Sequence, residues 1–151
     1  MKRIIIGSDH RGFVLKDKLK KYLKSRDYRV TDIGAFSKQS CDYPETAYTV
    51  AKAVSGKKFT KGILICYSGI GNCIVANKIP GVRAAVCYNV KLARLSREHN
   101  DTNILVLAAG FITQTGARKI LDSWLNTRFS AGRHLRRLNK IKKIEKGYKK
   151  S

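Results

Sequence analysis

Short apolar runs alternate with amphipathic stretches along the whole chain, a pattern typical of domains in which helices connect parallel strands. Five apolar runs predict strands at residues 2–8, 29–33, 62–66, 84–87 and 104–107. Between them, apolar positions at helical spacing predict helices at 12–24, 46–54, about 70–78, 90–98 and 115–125. We therefore predict an α/β fold: a single doubly wound (Rossmann-like) domain whose five-stranded, mainly parallel sheet carries helices on both faces.

The last predicted element is a C-terminal amphipathic helix at about residues 132–148. Its apolar side chains follow one another at spacings of three, three, three and four: Leu135, Leu138, Ile141, Ile144 and Tyr148. A length of 151 residues leaves room for one hydrophobic core, and no repeat or linker interrupts the pattern. We predict that residues 1–151 form one domain.

The chain is strongly basic, with 32 Lys and Arg against 10 Asp and Glu, for a net charge of +22. Such a charge favours anionic partners: nucleic acid, anionic lipid or phosphorylated small molecules. The longest apolar run, 104–112, is far shorter than the roughly 20 residues that span a bilayer, so no membrane partner is predicted. The first ten residues turn polar too early for a signal peptide, which predicts a cytoplasmic protein.

The four cysteines form no CxxC pair and have no zinc-ligand spacing, so we expect free thiols and no metal site. Cys66 differs from the others because it ends a buried strand and is followed by Ser68, Gly69 and Gly71 at the start of a helix. Backbone N–H groups at a helix N-terminus lower a thiol pKa and can hold a developing oxyanion. A buried structural cysteine before an anion-binding turn is the alternative. Cys73 and Cys87 fit core packing.

Further candidate residues are three histidines and a basic cluster. His10 follows the first strand, His99 ends a helix, and His134 lies at the start of the last helix. Arg133 and Arg137 stand one turn apart and suit a phosphate, although a solvated basic face has the same pattern. Neither a dinucleotide fingerprint nor a GxxxxGK[ST] loop occurs, so neither NAD nor ATP is predicted.

Taken together, the motifs resemble the ribose-5-phosphate isomerase B family, which includes the allose-6-phosphate and galactose-6-phosphate isomerases. The matching segments, in family order, are 7–12 (GSDHRG), 41–44 (CDYP), 66–71 (CYSGIG), 76–78 (ANK), 81–84 (GVRA), 99–101 (HND) with Asn103, and 132–134 (GRH) with Arg137. They extend over almost the whole chain. The resemblance implies an aldose–ketose isomerase that works through an enediolate and needs neither a metal nor an organic cofactor.

The resemblance also implies roles for individual residues. Cys66 is the base that moves a proton between C1 and C2, and the Ser68 hydroxyl relays protons between the substrate oxygens. Asp9 and His99 assist opening of the sugar ring. The enediolate oxygen is held by the backbone amides of Gly69, Ile70 and Gly71. The remaining substrate contacts are His10, Arg133 and Arg137 at the phosphate, His134 beside them, Asn100 at the hydroxyls and Tyr43 against the ring.

Two positions distinguish this chain within the family. The family commonly has Arg in a Gly-x-Arg triplet after the last strand, where this chain has Gly110, and Arg136 or Lys140 are candidates to replace that cation. Asn72 stands where members with a glutamate base carry the acid, so Cys66 places the chain in the cysteine-base group. The family builds its site across a homodimer, on which the last helix could dock.

The leading hypothesis is a ribose-5-phosphate isomerase of the non-oxidative pentose phosphate pathway, acting on a small sugar phosphate as a homodimer or dimer of dimers. An allose-6-phosphate or galactose-6-phosphate isomerase is the alternative within the enzyme class. From another class, the charge allows a basic nucleic-acid-binding protein of the same fold without activity. Helix-turn-helix cues and RNA-binding strand motifs are missing from the sequence, which disfavours that alternative.

Overall fold

The computed structural model describes residues 2–149 and alternates strands with helices. The strands are β1 (Lys2–Ser8), β2 (Tyr28–Asp32), β3 (Gly62–Cys66), β4 (Ala84–Val86) and β5 (Ile104–Ala108). The helices are α1 (Phe13–Ser25), α2 (Tyr43–Ser55), α3 (Ile70–Asn77), α4 (Val90–Asn100), α5 (Gln114–Asn126) and α6 (Arg133–Lys149). Every predicted strand and helix is present, most with ends shifted by one or two residues.

The five strands form one sheet in the order β2-β1-β3-β5-β4, and every neighbouring pair is parallel. Apolar side chains of α1, α4 and α5 pack on one face of the sheet, and those of α2 and α3 pack on the other. Because both faces are covered, β3 and β5 are buried at every position. The predicted doubly wound α/β fold is confirmed.

The start of α2 differs from the prediction, which placed Tyr43 and Pro44 in a loop and began the helix at Thr46. The helix begins at Tyr43. Proline is compatible with the first helical turn, where its missing N–H would have no intrahelical partner. Tyr43 is thereby fixed on a helix rather than on a loop.

The two ends of the sheet have different neighbours. We call the end at which the strands finish the carboxyl edge and the opposite end the amino edge. Because the strands are parallel, Ser8, Cys66 and Ala108 all lie at the carboxyl edge. Helix α4 leaves this edge after β4 and returns to the amino edge, where β5 begins. His99 and Asn100, in its last turn, therefore lie at the amino edge.

Helix α6 also starts near the amino edge and leaves much of its apolar face uncovered. It buries His134 and Leu138 against the domain, and the Glu145 carboxylate accepts a hydrogen bond from the Gly81 N–H (2.8 Å). Ile141 and Ile144 are about half exposed and line a groove of about 780 Å³ beside β4. Among residues 2–149, no helix combines the length and apolar character needed to cross a bilayer.

Candidate active site

Cys66 is the last residue of β3, and its side chain is buried, with 5% of its surface exposed. The chain then turns sharply into α3 through Gly69, whose φ of 79° lies in the left-handed region that favours glycine. A Cβ at Gly69 would come within 2.9 Å of a Val86 methyl group, so a side chain there would also meet β4. This turn places the N-terminus of α3 directly above the thiol.

The pKa of Cys66 does not fall as the sequence predicted. Burial raises the pKa of the Cys66 thiol, and the nearby Asp9 charge raises it further. The backbone amides of Asn72, Gly69 and Ser68 act in the opposite direction and lower the pKa, but the net effect is a raised pKa. The turn therefore favours the neutral thiol, which becomes a strong base once deprotonated, and it places backbone amides close to the sulfur.

The backbone around Ser68 is partly engaged in its own hydrogen bonds. The Ile70 N–H donates to the Ser68 Oγ (3.2 Å), and the Tyr88 hydroxyl donates to the Ser68 carbonyl (2.8 Å). Two of the backbone amides that lower the pKa of Cys66, those of Ser68 and Asn72, lie just outside the predicted set of Gly69, Ile70 and Gly71. The predicted role of that set toward an enediolate stays a prediction.

The turn after β1 is pressed against the end of β3. The buried Asp9 accepts a hydrogen bond from the Gly12 N–H (2.9 Å), and the Asp9 N–H donates to the Ile65 carbonyl (3.3 Å). Next to it, His10 Nδ1 lies 3.2 Å from both the N–H and the carbonyl of Cys41. When Nδ1 accepts from that N–H, Nε2 carries the proton and is a donor for an anionic ligand.

Tyr43 also reaches this turn. Its ring lies against Gly71, where an added Cβ would come within 2.6 Å of the ring carbon Cε2. The aromatic face is therefore held at the N-terminus of α3, close to Cys66. The structure thus brings together the predicted residues Asp9, Tyr43 and Cys66, with His10 and Ser68 beside them, at the carboxyl edge.

The other predicted residues form a second cluster on α4 and α6. The rings of His99 and His134 stack with their centroids 4.2 Å apart and their planes at 13°. Desolvation lowers the pKa of His134, and the charges of His99, Arg133 and Arg137 lower it further. Asn100 is the next residue after His99.

The two clusters do not meet within one chain. One belongs to the carboxyl edge and the other to the amino edge, with the length of β5 between them. Among residues 2–149, no hydrogen bond, ion pair or ring contact joins the His99 cluster to Cys66 or Asp9. Within a single chain, the predicted site residues therefore lie in two separate clusters.

Sequence reasoning missed two features of the carboxyl edge. The Asn72 side chain is 1% exposed, and neither of its amide atoms has a hydrogen-bond partner among the described residues. The Arg11 guanidinium stacks on Tyr67, the residue after the thiol, with 3.8 Å between its central carbon and the ring centroid. The available signal in the sequence was an arginine in the turn after β1 and an aromatic residue in the turn after β3. Whether the two side chains meet depends on the order of the strands in the sheet.

The described residues contain no group of three or more His, Cys, Asp or Glu side chains placed to hold a metal ion. The chemistry on offer is that of a buried thiol, a buried carboxylate and backbone donors at a helix N-terminus. These groups suit proton transfer on a small substrate that passes through an anionic intermediate. Such a site, at the carboxyl edge of a parallel doubly wound sheet, is that of a small-molecule enzyme.

The chain belongs to the ribose/galactose isomerase family, whose profile matches residues 4–141. It is 43% identical over 145 residues to the ribose-5-phosphate isomerase B of Escherichia coli K12, covering 96% of this chain and 97% of the relative. The family resemblance read from the motifs is thereby confirmed, including its ribose-5-phosphate isomerase B branch.

Solved structures agree with this assignment. The ribose-5-phosphate isomerase B of Clostridium thermocellum superposes with a TM-score of 0.95 at 48% identity, covering 97% of this chain and 99% of that one. The ribose-5-phosphate isomerase B of Mycoplasma genitalium, solved with bound ribulose-5-phosphate, superposes with a TM-score of 0.92 at 40% identity. The match covers 95% of this chain and 96% of that one. The similarity therefore includes the helices and turns that carry both clusters.

Proposed function

We propose that this protein interconverts D-ribose 5-phosphate and D-ribulose 5-phosphate, with Cys66 as the base. The observation that carries the proposal is the buried thiol at the start of α3, with the backbone amides of that turn and Asp9 close enough to shift its pKa. Family membership and the ribulose-5-phosphate bound to the Mycoplasma genitalium relative support the substrate class. The pentose phosphate pathway and a cytoplasmic location go with this proposal.

The chemistry requires one proton to move between neighbouring carbons. The Cys66 thiolate removes the proton from C2 of the open-chain aldose, and the electrons form the C1–C2 double bond of an enediolate. The thiol then returns the proton to C1, while the hydroxyl proton passes between O2 and O1 by way of Ser68. Because Cys66 is buried, its thiolate is poorly solvated and correspondingly basic, which suits removal of a weakly acidic C–H proton.

A second copy of the chain completes the site in this proposal. His99 and Asn100 would reach the ring and hydroxyls of a substrate bound at the partner's thiol, and Arg133 and Arg137 would reach its phosphate. The position of these residues at the amino edge, away from their own Cys66, supports this arrangement. The half-exposed apolar residues of α6 supply a surface on which the second copy can dock.

A coupled assay with ribose 5-phosphate tests the proposed function. We expect turnover by the wild type and a loss of at least about a thousandfold in Cys66→Ala, which removes the proton carrier but leaves most packing in place. Cys41→Ala is the matched control, because Cys41 is an exposed thiol outside the turn. Full activity in Cys66→Ala would contradict the assignment of the base.

The same preparation decides between the remaining alternatives. Values of kcat/KM for ribose 5-phosphate, allose 6-phosphate and galactose 6-phosphate compare five-carbon and six-carbon substrates. Binding to duplex DNA at several salt concentrations tests the nucleic-acid alternative, which predicts tight, steeply salt-dependent binding that is independent of Cys66. Turnover restricted to a six-carbon substrate would replace ribose 5-phosphate in the proposal.

A further inference from the structure

Arg11 brings a positive charge to the carboxyl edge between His10 and Gly12. The turn that carries it has little freedom, because a Cβ at Gly12 would lie 2.8 Å from the Ile65 carbonyl carbon. The backbone next to Arg11 is therefore held close to Ile65, the residue before Cys66. The central carbon of its guanidinium lies 3.8 Å from the centroid of the Tyr67 ring.

The ring beneath Arg11 is itself firmly placed. Tyr67 lies against Gly110, where an added Cβ would be 2.7 Å from the ring carbon Cζ, so the ring fills the space that a side chain at position 110 would need. Phe111 packs edge-on against Tyr67, with the ring centroids 5.4 Å apart. Tyr88 packs on Phe111 in turn, at 6.4 Å. Three aromatic rings thus form a platform for the guanidinium.

This arrangement accounts for the departure at Gly110. An arginine side chain at position 110 and the Tyr67 ring cannot occupy the same space. Arg11, in the turn after β1, instead supplies a guanidinium that lies over the Tyr67 ring. The two cations suggested by the sequence as replacements, Arg136 and Lys140, lie on the exposed surface of α6 and line a shallow hollow on that helix. Arg11, by contrast, lies directly over the ring that fills the space at Gly110.

The Arg11 guanidinium forms no ion pair with the acidic side chains that the structure describes. Stacking uses the face of a guanidinium and leaves its N–H edge available for two parallel hydrogen bonds to an oxyanion. The neighbouring His10 offers Nε2 as a further donor. A planar cation that forms no ion pair with the described residues is therefore placed beside the turn that carries the thiol.

We propose that Arg11, held by the Tyr67 platform, binds the phosphate of the substrate together with His10. The inference rests on the proposed function for the identity of the substrate, but not for the binding of phosphate itself. Arg11 is then a substrate-binding residue. Its loss weakens binding of the phosphorylated ligand and leaves the proton transfer at Cys66 largely intact.

Calorimetric titration with inorganic phosphate tests the proposal without any need for turnover. We expect Arg11→Ala to weaken phosphate binding by about tenfold or more, because a charge-assisted pair of hydrogen bonds is lost. Arg11→Lys keeps the charge but loses the planar guanidinium, so its phosphate affinity should lie between those of the wild type and Arg11→Ala. Arg26→Ala is the matched control, since its guanidinium also lies over a tyrosine, Tyr22, at 5.6 Å but outside the site.

Kinetics with ribose 5-phosphate provides a second measurement. We expect Arg11→Ala to raise KM by a similar factor and to change kcat by less than about threefold, the result of losing a ground-state contact. Tyr67→Ala should reproduce the weaker phosphate binding, and Tyr67→Phe, which keeps the aromatic face, should not. A thermal melt of each variant shows whether folding is preserved.

The outcomes separate this inference from the proposed function. Equal phosphate affinity in the wild type and Arg11→Ala overturns the role of Arg11, whatever the turnover. A wild type that binds phosphate through Arg11 but turns over no ribose 5-phosphate supports the role of Arg11 and contradicts the proposed function. A loss of affinity that appears equally in Arg26→Ala also overturns it, because the effect would then be one of general charge.

Discussion

Mixing two inactive variants tests whether each site is built from two chains. Cys66→Ala removes the base at the carboxyl edge, and Arg137→Ala removes a predicted phosphate ligand of the other cluster. Each variant alone is expected to lose most of its activity, since every site in its homodimer lacks one of the two residues. In a mixed dimer, one of the two sites receives an intact Cys66 and an intact Arg137.

The expectation follows from the length of the elements between the clusters. The five residues of β5, rising about 3.3 Å each, span about 16 Å. The eleven residues of α4, which runs between the same two edges, span about the same length at 1.5 Å per residue. A guanidinium and a phosphate must approach to within about 3 Å to form hydrogen bonds, so the two clusters of one chain cannot serve one small substrate.

The assay is ribose 5-phosphate turnover after the two variants have been unfolded together and refolded in equal amounts. Random pairing makes half of the dimers mixed, each with one intact site, and so restores roughly a quarter of the wild-type activity. Cys66→Ala mixed with Asp9→Ala is the control, because both changes fall in the same cluster and no intact site can form. Activity no higher than the sum of the separate variants would refute a site shared between chains.

Three further predictions concern titrating and buried groups. Because burial raises the pKa of Cys66, kcat/KM should increase with pH through the neutral and mildly alkaline range, and a plateau already reached below pH 7 would contradict the raised pKa of the thiol. Burial, with Arg97 and Lys2 nearby, lowers the pKa of Lys61 to about 8. Below pH 8 the Lys61 side chain is charged in both the folded and the unfolded protein, and burying that charge destabilises the folded state. Stability should therefore rise between about pH 8 and 10.5, the ordinary pKa of lysine, because the folded protein loses the proton first. Lys61→Met should abolish that rise and raise the melting temperature at pH 7, as measured by thermal melts across pH. Asn72→Leu removes a buried amide without partners and should raise the free energy of unfolding by about 1–3 kcal/mol in urea titrations, whereas a loss of stability would show that the amide is satisfied.

The sequence by itself determined the fold class and the sharp turn that follows Cys66. Strands such as Ile104–Ala108 are buried on both faces, so they appear as unbroken apolar runs that local pattern reveals. Gly69 after such a strand indicates a tight turn into a helix, because its left-handed backbone conformation is a local requirement for glycine. The family motifs likewise lie within short segments.

Only the tertiary structure decided what depends on strand order and burial. The order β2-β1-β3-β5-β4 brings Arg11 onto Tyr67 and Tyr67 against Gly110, three residues from three different segments. The return of α4 to the amino edge separates His99 from Cys66, although both belong to the same family motif set. The pKa of Cys66 rose instead of falling because desolvation depends on how many atoms surround the sulfur, whereas the N–H donors that oppose it could be anticipated from the turn. Local spacing encodes elements and turns, and contacts between distant segments arise only when the sheet places them side by side.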